Sequence, residues 1–312
     1  MKSGPALSTL TETPNTVRGM GLVALSALSG TVANAMVRHL TLEMDSFEIA
    51  FFRALIGLIL LSTLLVRFGL APLKTRRLGL YAVRGVLVAT SIVLFYKGLG
   101  LVPLAKATAL NFSAPLFATV LAVIVLREPI RARRIAALAV GFVGMLVVLR
   151  PGWGPLAVGD LYIIASALVF SIIMILLKIL ARTESTLTMT LYAGIFMTPA
   201  TLAVALPVWQ TPTLTQLVWL LGVGAFSVLA QLLFVQGLRN TEVTAVTPVG
   251  FVRLLWAALI GYLFFAEIPD AWTWLGGFMI FVSVTYIAWR ERRVQRARAE
   301  PADGAAHRLL DN

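Results

Sequence analysis

The chain has 312 residues, of which 59% are hydrophobic, and its formal net charge is +12. Soluble domains are about 45–50% apolar, and the basic residues lie in short clusters between apolar runs, a pattern that favours a membrane protein over a nucleic-acid-binding one. Because the sequence contains no cysteine and only two histidines, His39 and His307, it excludes disulfides, thiolate nucleophiles and Cys/His zinc sites, and no cofactor is predicted.

The first half of the chain contains five apolar runs that are predicted to cross a bilayer, for which a helix needs about 20 mostly apolar residues. A polar tail, 1–16, precedes them. The first run contains Ala33-Asn34-Ala35, which resembles a cleavage site, but an uncleaved signal anchor is predicted because cleavage would delete the first helix. The predicted spans are 19–37, 47–66, 79–100, 107–126 and 135–149.

The second half contains five more predicted spans, which brings the total to ten. The segment 185–238 carries no charge and is long enough for two helices. The turn between these two is marked by Pro207, Gln210, Pro212 and Thr213. The other spans are 161–177, 243–265 and 271–289. A basic tail, 291–312, follows them, and its low hydrophobicity and dense charge predict disorder or a position on anionic headgroups.

The charges between the spans are distributed unequally. If the N-terminus lies inside, most of the basic residues fall on the inner side, and the opposite loops carry Glu43, Asp45, Glu267 and Asp270. This asymmetry predicts that both termini are cytoplasmic. Because each half contains an odd number of spans, the second half enters from the other side of the membrane, and the halves are predicted to be inverted.

The two halves also share sequence. Residues 94–150 align without a gap with residues 233–289. Apolar identities are expected in such a chain, but the aligned pair Glu128 and Glu267 is informative because the chain has only 14 acidic residues. A doubled membrane unit of this kind is typical of secondary transporters, which bind substrate near the midplane between the repeats.

The first repeat resembles the core of an EamA domain, which defines a branch of the drug/metabolite transporter superfamily. The similarity lies in Gly98-Leu99, the segment 107–115, Glu128 and the run from Gly141-x-x-Gly144 to Arg150-Pro151-Gly152. The second copy departs from it, with Leu254 in place of Pro115 and no terminal Arg-Pro-Gly.

The resemblance covers roughly 17–290 and implies an all-α integral membrane fold of ten helices, built from inverted five-helix EamA repeats at 17–152 and 158–290. It also implies inner-membrane transport of a small polar or amphipathic metabolite: an amino acid, metallophore, vitamin or nucleoside-like compound. The first repeat is somewhat closer to the riboflavin and S-adenosylmethionine carriers of the family.

Two arginines inside predicted spans are candidate substrate-binding residues. Arg253 lies near the middle of the ninth span, where an arginine costs at least about 2.5–3.5 kcal/mol on insertion scales. It is predicted to bind a carboxylate or phosphate from a cavity between the fourth and ninth spans, with bonding to helix carbonyls or Glu267 as the alternative. For Arg53, the alternative is snorkelling to the headgroups or pairing with Glu48 or Glu43.

The other candidates for substrate contacts are Tyr96, Asn111, Phe112, Gln231 and Trp256. Interhelical hydrogen bonding or packing is the alternative for each of them. Pro115 is predicted to free a carbonyl within the fourth span, and Arg84 is predicted to snorkel to the nearer surface. Glu128 and Glu267 are predicted to have a structural or gating role, with coupling to protons as the alternative.

The leading hypothesis is a secondary-active transporter whose two repeats give alternating access to a central site. Its predicted partners are a small-molecule substrate and the lipid bilayer. The alternatives are an integral membrane enzyme and a non-transporting assembly protein. An enzyme is not predicted, because the sequence contains no metal-ligand cluster, paired intramembrane carboxylates or Ser/His constellation.

Overall fold

The computed structural model describes residues 16–68, 75, 77–125, 132–150, 157–180, 183–184, 186–240 and 243–310. Within these ranges its side chains are described except at 16–17, 64–68, 186–187, 238–250 and 291–310. The regular secondary structure of these residues is helical, as expected for a chain that crosses a bilayer, where each backbone group must be bonded within the protein.

The helices follow one another with short connections. They are α1 Thr16–Leu40, α2 Ser46–Phe68, α3 Leu78–Leu101, α4 Leu104–Asn111, α5 Ala114–Val125, α6 Ala132–Leu149, α7 Val158–Leu180, α8 Thr186–Ala205, α9 Leu214–Asn240, α10 Val243–Phe265 and α11 Ala271–Leu310.

Ten crossings are present, as predicted. Nine stretches of the described chain are long and apolar enough to span a membrane when α4 and α5 count as one, and α10 adds the apolar stretch Phe251–Phe265. Ten crossings place both chain ends at one end of the bundle, which we call the termini end, and the other is the opposite end. The backbone of α11 is helical as far as Leu310, which differs from the predicted disorder of the basic tail, and the alternative, a position on anionic headgroups, stays a prediction.

The fourth crossing is interrupted. The chain turns at Phe112 and Ser113, between α4 and α5, and Ser113 Oγ donates a hydrogen bond to the carbonyl of Leu110 at 2.7 Å. Pro115 therefore lies in the first turn of α5, where its missing N–H costs little because that group has no partner within a helix. The predicted span over 107–126 is confirmed, and its break lies at Phe112 and Ser113, before the proline that was predicted to free a carbonyl.

The helices of the two repeats pack in exchanged pairs. The first repeat comprises α1 to α6, and the second comprises α7 to α11. Helix α1 of the first repeat packs on α9 of the second, and its equivalent in the second repeat, α7, packs on α3 of the first. In the same way, α3 contacts α8, and its equivalent α9 contacts α2. The pairs α2 with α8 and α6 with α11 join equivalent helices. Exchange of the repeats leaves this pattern unchanged, as a pseudo-twofold axis in the membrane plane requires.

Glycines allow the backbones of equivalent helices to touch. A Cβ added at Gly144 in α6 would lie 2.8 Å from the carbonyl oxygen of Gly276 in α11 and 2.7 Å from the Cβ of Met279. Gly21 in α1 is different, because a Cβ there would meet no atom within 4 Å. Small residues at helix contacts are a common means of close packing in membranes, where apolar burial drives association weakly.

We predict that Gly144→Ala lowers the free energy of unfolding by about 1–3 kcal/mol, because the added methyl overpacks the contact between α6 and α11. Gly21→Ala, the matched control, should be neutral or slightly stabilising, since alanine has the higher helix propensity. Thermal unfolding of both variants in detergent measures the difference. Equal stability of the two variants would contradict the close contact.

Candidate functional site

A cavity of about 360 Å³ lies between α2, α3, α7, α8 and α9. Its volume falls in the range of about 300–1,000 Å³ that is usual for small-molecule sites. The lining residues recur every three or four positions along each helix, so each helix turns one face to the cavity. The polar lining residues are Arg53, Arg84, Ser91, Thr190, Ser227 and Gln231. Both repeats contribute to the wall.

Arg53 reaches across the cavity from the first repeat to the second. Its Nε donates a hydrogen bond to Ser227 Oγ of α9 at 3.1 Å. The carboxylates considered as alternative partners lie elsewhere: Glu48 accepts a hydrogen bond from the backbone N–H of Gln210 at 2.5 Å, and Glu43 lies in the exposed turn before α2. Arg53 therefore faces the cavity, as does Gln231, a second residue predicted to contact substrate.

Arg84 also lines the cavity, and the prediction that it snorkels is wrong. The residue is only 8% exposed, and its Nη1 donates a hydrogen bond to the carbonyl of Met189 in α8 at 2.5 Å. Its Nε is buried and has no hydrogen-bond partner among the described residues. The sequence gives one signal for this orientation: Arg84 and Ser91 are seven residues apart, so they lie on one face of α3.

Several predicted substrate contacts lie outside the wall of this cavity. Tyr96 is 3% exposed and belongs to the main apolar core, with Phe112 packed against that core. Asn111 is the last residue of α4, beside the break. The indole N–H of Trp256 is buried without a hydrogen-bond partner among the described residues. Packing accounts for the positions of Tyr96 and Phe112.

Arg253, in α10, lies close to α1. The prediction placed its side chain between the fourth and ninth spans. A Cβ added at Gly30 in α1 would lie 3.8 Å from Nη2 of Arg253. The same Cβ would lie 3.7 Å from the Cβ of Ala230 in α9. Arg253 is not among the residues that line the cavity, but Ala230 directly precedes Gln231, which is. The predicted contact of Arg253 with substrate stays a prediction.

At the opposite end, Arg38 and Glu267 tie the first repeat to the second. They form an ion pair, and Arg38 also donates hydrogen bonds to the carbonyls of Val102 and, at 3.3 Å, of Leu99. Glu267 Oε2 accepts a hydrogen bond from the backbone N–H of Leu104 at 2.9 Å. This carboxylate thus caps α4, since the first N–H groups of a helix have no partner within it.

Two further ion pairs join the repeats at the same end. Lys106 Nζ lies 2.7 Å from Asp160 Oδ2, and Arg150 contacts Asp270. The described residues at this end therefore connect the repeats through three charge pairs. Glu128, the counterpart of Glu267 in the first repeat, lies outside the described residues. The part of the chain that the structure describes contains no group of His, Asp and Glu suited to hold a metal.

Comparison with known sequences identifies relatives over most of the chain. The profile of the EamA-like transporter family matches residues 17–150 and again residues 157–289. An S-adenosylmethionine uptake transporter of Rickettsia bellii is 31% identical over 275 residues, which cover 88% of this chain and 94% of the relative. A riboflavin transporter of Vibrio cholerae is 28% identical, with the same two coverages. A pseudopaline exporter of Pseudomonas aeruginosa is 28% identical, covering 85% of this chain and 94% of its own.

Comparison with solved structures supports the fold. One crystal structure superposes on 87% of this chain and 98% of its own length, with a TM-score of 0.57 and 17% sequence identity. At that identity the likeness concerns the fold alone.

We predict that Arg38 and Glu267 stabilise each other more than Arg150 and Asp270 do. The side chains of the first pair are 18% and 13% exposed, and those of the second are 32% and 45% exposed, so water screens the second pair more strongly. A double-mutant cycle with Arg38→Gln and Glu267→Gln should give a coupling energy of up to about 3 kcal/mol. The cycle with Arg150→Gln and Asp270→Asn should give a coupling energy below about 1 kcal/mol. Equal couplings in chemical unfolding would contradict this difference.

Proposed function

The chain belongs to the EamA-like transporter family, and on that premise we propose that it moves a small polar or amphipathic metabolite through the cavity between α2, α3, α7, α8 and α9. It is a multi-pass membrane protein. The observation that carries the proposal is a cavity of ligand size, with polar side chains on its wall, between two repeats inside a membrane bundle. The names of the relatives support cargo of nucleoside, vitamin or metallophore type.

We further propose that the two repeats alternate in exposing this cavity to the two sides of the membrane. Polar residues at mid-depth are tolerated where they line water or a ligand. The pairs Arg38 with Glu267, Lys106 with Asp160 and Arg150 with Asp270 cross from one repeat to the other at the opposite end. Opening that end would require these contacts to separate. Arg150 and Asp270, whose side chains are 32% and 45% exposed, are the pair most readily rehydrated.

The membrane orientation follows from the charges of the loops. We propose that the protein lies in the inner membrane with both termini cytoplasmic, because the segments at the termini end carry most of the basic residues. Substrate recognition by Arg53 and Gln231 is part of the proposal, since both line the cavity. Arg253 lies outside the wall of this cavity, so its contact with substrate is not part of the proposal.

Reporter fusions test the orientation. We expect fusions after residues 212 and 269 to report an external position, and fusions after residues 75 and 240 to report a cytoplasmic one, because these positions alternate between the two ends of the bundle. A fusion after residue 290 is the control for the C-terminus. Finding residue 269 on the same side as residue 290 would exclude inverted repeats.

Filling the cavity tests the function. Ala193 lines the cavity, whereas Val140 in α6 is 45% exposed on the surface of the bundle. We expect Ala193→Phe to abolish most of the flux of S-adenosylmethionine or riboflavin, whichever enters proteoliposomes of the unmodified protein, because the ring occupies the substrate volume. Val140→Phe, the matched control, should transport normally. Normal flux through Ala193→Phe would exclude this cavity as the route, and no flux of either compound through the unmodified protein would oppose the proposed cargo.

A further inference from the structure

We infer that the cavity selects metabolites with a carboxylate or phosphate group, and that Arg84 and Arg53 bind that group. The inference rests on the proposed function, because it concerns the substrate of the same cavity. The charged residues of the cavity wall are both arginines, and no acidic side chain of the described residues lines it. The wall is therefore positively charged without compensation from its own side chains.

Arg84 carries a charge that the protein only partly satisfies. It is 8% exposed, and its bond to the Met189 carbonyl supplies a dipole rather than a negative charge. Its Nε has no partner among the described residues. A buried guanidinium is costly unless it is paired and fully hydrogen-bonded. An anionic group in the cavity would supply both the missing acceptor and the countercharge.

Arg53 is similarly available to a ligand. Its hydrogen bond to the Ser227 hydroxyl uses Nε and orients the side chain toward the cavity. Within the described chain, its two terminal nitrogens form no ion pair or hydrogen bond. A guanidinium has five N–H donors in a planar fork that matches a carboxylate or phosphate. The hydroxyl partner leaves the charge of Arg53 uncompensated.

The two arginines lie at different depths. At a rise of about 1.5 Å per residue, Arg84 is about 9 Å along α3 from the termini end and Arg53 is about 10 Å along α2 from the opposite end. An anion that passes through the cavity therefore meets one guanidinium before the other. This arrangement suits successive binding of the anion by the two guanidiniums during passage.

A purely structural role is the competing explanation, because Arg84 joins α3 to α8 and Arg53 joins α2 to α9. The two explanations differ in what a substitution changes. Loss of a structural bond lowers stability and slows the transport of all compounds alike. Loss of an anion site changes the relative rates of compounds that differ only in an acidic group.

Two matched pairs of compounds separate these explanations. S-adenosylmethionine and its decarboxylated form differ in one carboxylate, and flavin mononucleotide and riboflavin differ in one phosphate. We expect uptake into phosphatidylcholine proteoliposomes to favour the acidic member of at least one pair by about tenfold or more, as a charge-assisted hydrogen bond allows. The pair in which the preference appears identifies the acidic group as carboxylate or phosphate.

The variants assign the preference to residues. Arg84→Gln and Arg53→Gln should each reduce the ratio between the two members toward one, and Arg84→Lys should retain part of it because the charge remains. Arg290→Gln is the matched control, since Arg290 donates a hydrogen bond to Tyr286 at the end of α11, outside the cavity. If Arg84→Gln fails to accumulate, the uptake ratios of the acidic to the non-acidic compound in Arg84→Lys and Arg53→Gln test whether the arginines cause the preference.

Equal uptake of both members in every pair that enters would overturn the inference and leave the proposed function intact. A preference for the acidic member that survives in both glutamine variants would remove these arginines from the site. Uptake of none of the four compounds would count against the proposed cargo, and the inference would fall with it.

Discussion

The bilayer interior offers no hydrogen-bond partner to a polar group, and the placement of the polar side chains in this protein follows from that constraint. The backbone is satisfied by helices. Ser91 in α3 donates a hydrogen bond to the carbonyl of Ser166 in α7 at 3.1 Å, and so joins two helices of different repeats. Arg53 and Arg84 face a shared cavity. These polar residues thus hold the repeats together or surround the space between them.

The same constraint distinguishes the two parts of the repeat interface. At the opposite end, where water is near, Arg38 and Glu267 neutralise each other, and Glu267 also caps α4. Inside the bundle, the arginines of the cavity wall meet hydroxyl and carbonyl groups instead of carboxylates. The described charges at the opposite end are therefore paired, whereas the two arginines of the cavity wall have no carboxylate partner among the described residues. An anionic ligand, as inferred above, would supply the missing countercharge.

Depth could be predicted from the sequence, but orientation around each helix could not. The lengths of the apolar runs placed the ten crossings, and α10 begins and ends at the predicted residues. Arg84 lies near a helix end, which suggested the nearer surface, yet the packing of α3 against α8 turns it inward. Tyr96 lies at a suitable depth but packs into the core. The break at Phe112 and Ser113 was missed because neither residue is a glycine or proline, and the nearby Pro115 suggested a kink in its place.

The inverted arrangement of the repeats has a consequence for biosynthesis. Equivalent loops of the two halves emerge on opposite faces of the membrane. Two halves of similar sequence must therefore carry different orientation signals for membrane insertion. The segments before α6 and α11 show how this is achieved: Arg127 and Arg131 in the first correspond to Ala266 and Asp270 in the second. The helices can therefore stay alike between the halves, whereas the charges of the loops must diverge. Exchange of these two loops would disturb insertion before any effect on folding or transport arose.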